Sequence, residues 1–112
     1  MATALKKLGQ GNFAIGMVTF TVPTGKTWQL SLAVVDVASG NDALSFNIYH
    51  VPSGGSEGNT NKVYSNSIGA HVILSVEILS GAVIEQGESI RAKIDSGAPN
   101  HAVITVYGVE IS

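Results

Sequence analysis

The chain has 112 residues with a formal net charge of -2, and only 12% of them are charged. Its length suits one domain with one core. The charge balance leaves Lys6-Lys7 as the only adjacent basic pair, which excludes nucleic-acid binding by phosphate neutralisation. No cysteine is present, so disulfides, thiol catalysis and Cys-ligated zinc are excluded as well.

Residues 1–12 carry no basic segment followed by an apolar run, so no secretory signal is expected. No stretch approaches the roughly 20 apolar residues of a membrane span, and the chain reads as soluble, made in the host cytoplasm, with no membrane partner. Only the first eight residues have a composition compatible with helix, and they are too few to be stable alone.

The 13 glycines spread through the chain divide it into short runs rich in Val, Ile, Thr, Phe and Tyr, the composition of strands. The expected strands, in order, begin with Phe13 to Val22 and Thr27 to Ala38, the latter ended by the turn signal Ser39-Gly40-Asn41-Asp42. Leu44 to Val51 follows, with Leu44, Phe46 and Ile48 alternating with Ser45, Asn47 and Tyr49. The stretch PSGGSEGNTN, 52–61, reads as a mobile surface loop. Lys62 to Ile68 and Val72 to Leu79 come next, the second with Val72, Leu74, Val76 and Ile78 on one face and Glu77 opposite. Val83-Ile84 is a short extra strand, and Ser89 to Asp95 alternates cleanly, Ile90, Ala92 and Ile94 facing in. After a turn at 96–100, the last strand runs from His101 to Ile111.

Seven or eight short strands separated by turns, with no helices to make crossovers, predict an all-β fold: an antiparallel β-sandwich of jelly-roll type over 13–112, preceded by an N-terminal arm over 1–12. Two strands are apolar on both faces. In the second, Leu30, Leu32 and Val34 oppose Ala33, Val35 and Val37; in the last, Ala102, Ile104 and Val106 oppose Val103, Thr105, Tyr107, Val109 and Ile111. A strand apolar on both faces is covered on both. Scarcity of charge favours a neighbouring subunit as the second cover.

Gly25-Lys26-Thr27 ends a nucleotide-binding P-loop, but Phe20 stands where that motif needs its first glycine, and a strand follows instead of a helix. Pro23-Thr24-Gly25-Lys26 therefore reads as a β-turn with Lys26 solvated, and Trp28 as a core residue. His50, His71 and His101 sit on three separate segments without zinc-site spacing. Two carboxylates suffice for glycoside hydrolysis, but a chain this short leaves little room for a cleft, and Glu85 and Glu88 flank Gln86-Gly87 as a solvated turn. No calcium-loop pattern around Asp36 or Asp42 is present. No catalytic residue and no cofactor or metal site is assigned, and an enzyme is not expected. Tyr49 and Tyr64, beside the glycine-rich loop, are the candidates for stacking on a glycan.

Four phrases taken together carry a resemblance: FTVPTGKTW (20–28), FNIYHVPSGGS (46–56), GAVIEQGESIRAKID (81–95) and AVITVYGVEIS (102–112). Their order and spacing resemble the small β-sandwich virion proteins of tailed bacteriophages. The resemblance covers nearly the whole chain from Phe13. It implies a non-enzymatic structural role in the virion, foremost as a capsid decoration protein, in symmetric assemblies such as homotrimers, with the phage major capsid or tail protein as partner. The alternatives are a tail, baseplate or fibre β-domain, or a module binding a host-surface glycan. On this reading the N-terminal arm attaches to the particle. The expected partner contacts are Ala2, Leu5 and Leu8 in the arm and Val35 and Val37 on the strand apolar on both faces.

Overall fold

The computed structural model describes residues 5–14, 16–39, 44–68, 72–77, 80–96 and 101–112. Ala2, His71, Asp42, Ile78 and most of the turns expected at 39–42 and 96–100 lie outside the described residues. The described residues form nine strands: β1 (Lys6–Asn12), β2 (Val18–Thr21), β3 (Thr27–Ser39), β4 (Leu44–Val51), β5 (Lys62–Ile68), β6 (Val72–Val76), β7 (Val83–Ile84), β8 (Ser89–Ser96) and β9 (His101–Ile111).

The strands form two antiparallel sheets. One has the order β1-β9-β3-β6, with the short β7 also pairing β3; the other has the order β2-β8-β4-β5. With β7 set aside, the first strand pairs the last, the second the penultimate, the third β6, and the fourth the fifth. That nesting is one long hairpin. Pairing of β9 with β3 and of β8 with β4 rolls it into two layers. The result is a jelly roll, with β7 as an addition to the eight principal strands.

The core lies between the sheets. Phe46 is fully buried there with Phe13 at 5.7 Å between ring centroids on one side and Tyr64 at 5.9 Å on the other. Tilted rings at this distance gain from their edge-to-face charge distribution as well as from burial. Leu74 and Val76 of β6, and Ile90, Ala92 and Ile94 of β8, point into this core as their period-two patterns require. The β2–β3 connection is the expected turn. The Lys26 amide donates to the Pro23 carbonyl at 3.1 Å, and Gly25 takes a φ of 82°. Trp28 is buried.

Three features differ from the sequence reading. The segment 6–12 is neither helix nor detached arm: it is an edge strand paired with β9, its register shifted by a bulge between Lys7 and Gly9. Gly108 makes the close approach of β1, β9 and β3 possible, since a methyl group there would run into the Gln29 carbonyl oxygen and the Leu8 side chain. The expected strand from Phe13 is shortened to β2 because Phe13 turns inward and the chain bends. The Ala14 amide is held by Asn12 Oδ1 at 2.9 Å and the Gly16 amide by the Phe13 carbonyl. Finally, β3 carries a bulge between Leu30 and Leu32. The extra residue lets Leu30 share the core face with Ala33, Val35 and Val37, while Leu32 and Val34 face outward.

Candidate interaction surface

The two sheets present different outer faces. On the β2-β8-β4-β5 sheet the outward residues include Thr19, Thr21, Lys93, Ser65 and Ser67, a polar surface that water solvates. At one end of this face Tyr49 and Val51 are buried although neither belongs to the main core cluster. The 52–61 loop accounts for that burial. Arg91, the cross-strand neighbour of Tyr49, donates to Glu57 Oε1 at 2.7 Å and to the Gly55 carbonyl at 3.4 Å, drawing the loop back against the sheet. Asn61 fixes the loop internally, accepting from the Gly58 amide and donating to the Ser56 carbonyl, both at 2.9 Å. The loop expected to be mobile is thus a hydrogen-bonded turn system with its own small packing site.

This geometry corrects the glycan candidates. Tyr49 is 7% exposed, its hydroxyl accepting from Asn47 Nδ2. A ring so covered offers no face to a sugar. Tyr64 is half-buried and spends one ring face on Phe46, with its hydroxyl held by Asn66 at 2.8 Å.

The outer face of the β1-β9-β3-β6 sheet carries an apolar strip along β3 and β9, flanked by the polar Lys7, Gln10 and Asn12 of β1 and Ser75 of β6 and interrupted by Gln29, Thr105 and Asp36. Cross-strand pairs Leu32–Tyr107 and Val34–Thr105 run along its centre, with Val109 beside Gln29 and Val83 at one end and Ile73 at the other. Ile73 is 71% exposed, Val83 51% and Ile111 42%. These exposed side chains lie at the two ends of the strip, with Leu32, Val34, Tyr107 and Val109 half-buried between them, which makes the strip continuous. The partner contacts expected at Val35 and Val37 are corrected here. Both are fully buried on the inner face of the same strand, packed between the sheets, and reach no partner. Leu8 packs at the core edge, whereas Leu5 is exposed. The outward members of β3 and β9 were legible as apolar sets in the sequence. The exposed Ile73 and Val83 carried no signal there, because only the pairing of β6 and β7 with β3 brings them onto this face.

Three carboxylates lock the strands and turns. Glu110 accepts from the Trp28 indole at 2.9 Å and from Lys6 Nζ at 3.1 Å, tying β1, β9 and β3 together. Glu88 accepts from the Glu85 amide at 2.8 Å and pairs with His50 Nε2 at 3.0 Å, holding the β7–β8 turn against β4. All three lie below the ordinary value of 4.5: Glu110 through Trp28 and then Lys6, Glu88 through the Glu85 amide and then His50, Glu57 through its own backbone amide and then Arg91. A carboxylate depressed by folding stabilises the fold above its unfolded-state value, and that contribution is lost as pH falls below it. The urea midpoint is therefore expected to hold from pH 7 down to about 5 and to fall steadily from about pH 4.5 towards 3. An equal midpoint at pH 7 and pH 3 would contradict these contacts.

Among the described residues, no three His, Asp or Glu side chains converge as metal ligands. The fold and surface define an all-β jelly-roll domain with one polar outer face and one that carries an apolar strip. No protein-family model matches the chain, and no curated protein matches it.

Proposed function

We propose that the protein is a non-enzymatic structural subunit of a tailed-phage virion, foremost a capsid decoration protein acting through symmetric subunit and capsid contacts. The observation that carries this reading is the apolar strip on the outer face of the β1-β9-β3-β6 sheet, ending in the exposed Ile73 and Val83, on a chain with few charges. Such a face is costly to leave in water and stabilises contact by about 25 cal/mol per Å² of apolar area covered. The resemblance of four phrases to virion β-sandwich proteins supplies the setting. The jelly roll is compatible with it but carries no function by itself, since one fold serves many. On this reading the exposed Leu5 and the residues before it contact the particle. Burial of Tyr49 weighs against the glycan-binding alternative.

Co-sedimentation of tagged protein with purified empty heads and with isolated tails tests the proposal. Pelleting with heads is the expected result. Pelleting with tails alone would move the assignment to a tail or fibre domain, and pelleting with neither would overturn the virion role.

A further inference from the structure

We infer that the outer face of the β1-β9-β3-β6 sheet, along its apolar strip, is a two-fold self-association surface, its occupant a second copy of this chain packed face to face. The inference deepens the assembly reading above by naming the surface and its first partner. It is tested on the free protein, so its failure is separable from failure to bind heads.

Size is the first argument. Strands of 7, 11, 13 and 5 residues, at about 3.3 Å per residue and 4.8 Å spacing, give a face of roughly 570 Å². Stable interfaces cover about 600–1,000 Å² on each partner, so the face is at the lower end of what a dimer needs. Two sheets packing on such faces is an ordinary arrangement of β layers.

Polarity selects the symmetry. In a ring of three, each contact joins one patch to a different patch on the next copy. The opposite sheet offers Thr19, Thr21, Lys93, Ser65 and Ser67, which would leave apolar groups against polar ones. A two-fold contact about the centre of the face joins the strip to itself, Leu32 meeting Tyr107 of the other copy. The Thr105 oxygen beside it already accepts from Gln10 Nε2 at 2.8 Å.

Charge sets the register. Lys7 pairs with Tyr107 at the β1 edge and faces outward with it. Glu77, exposed, follows the inward-facing Val76 at the β6 edge and falls in the same row, beyond Leu32. A two-fold axis parallel to the strands, between β9 and β3, exchanges the two edges. It therefore sets Lys7 of each copy against Glu77 of the other, giving two ion pairs flanking the apolar rows. Asp36, the other outward acid in these strands, lies four residues along from that row, towards the far end of the face.

The test is the mass of the full chain by light scattering over a concentration series, with far-UV circular dichroism as the folding control. Wild type is expected at twice its 11.6 kDa. Ile73→Lys is expected to be folded and monomeric. Glu77→Lys, which sets lysine against Lys7, is expected to weaken association at least roughly tenfold, and Lys7→Glu combined with Glu77→Lys to restore it. A monomeric wild type at every concentration, a mass of three chains, or a dimer indifferent to Ile73→Lys would overturn the inference. So would a double variant no better associated than Glu77→Lys alone.

Discussion

Val35→Asp is expected to leave no stable folded protein. Val35 has no solvent exposure and sits on the inner face of β3, opposite Leu74 in the ladder and against the second sheet. No cation lies among the buried residues of that core to pair with a carboxylate. An unpaired buried charge costs about 5 kcal/mol, a large part of the roughly 5–15 kcal/mol by which a small domain is stable. Circular dichroism and urea unfolding of the soluble fraction measure it. Ile73→Asn is the control, on the same sheet but pointing out and opposite Asp36 without adding a like charge. At concentrations where the protein is monomeric its cost to the fold is expected within about 0.5 kcal/mol, because the amide meets water. Similar behaviour of the two variants would mean that the inner and outer faces have been assigned the wrong way round.

Phe46→Ala has the second large effect, about 4 kcal/mol by urea unfolding. The ring is fully buried between Phe13 and Tyr64, and its removal leaves a cavity that strand backbones, fixed by ladders to β5 and β8, cannot collapse to fill. Phe46→Leu, which keeps most of the volume, is expected to cost about 1.5 kcal/mol or less. Equal losses for the two would show that ring packing is not what this site contributes.

The strand inventory was legible because its signals are local. Alternation in Leu44–Ile48 and Ser89–Asp95, Pro-Thr-Gly-Lys at the β2–β3 turn, and glycines between runs each act within a few residues. β1 was not legible. KKLGQGN has no β-branched or aromatic residue, and it is a strand because β9 offers an unpaired edge and Gly108 admits close approach. Tertiary pairing there overrides propensity.

The candidate surface was half legible. That β3 and β9 are apolar on both sides could be read directly, and it implied a second cover. Which side is the core could not, because the answer depends on a bulge at Leu30–Leu32 that shifts the alternation by one residue. Val35 and Val37 were therefore chosen for the wrong face. The tyrosine candidates failed for a related reason. Tyr49 points away from the main core as its alternation requires, but the loop held by Arg91 and Glu57 covers it, a contact spanning 34 residues.

The central claim is that the sheet face bearing the apolar strip, and not the opposite one, is covered by another molecule when the protein assembles. The chain has no cysteine, so a single introduced thiol reports one position cleanly. The most direct measurement is the rate of thiol labelling of Ile73→Cys and of Lys93→Cys in separate assembled samples. The account predicts that the thiol at 73 is protected on assembly while that at 93 reacts as it does in dilute free protein. Undiminished labelling at 73, or protection at 93 alone, would contradict it.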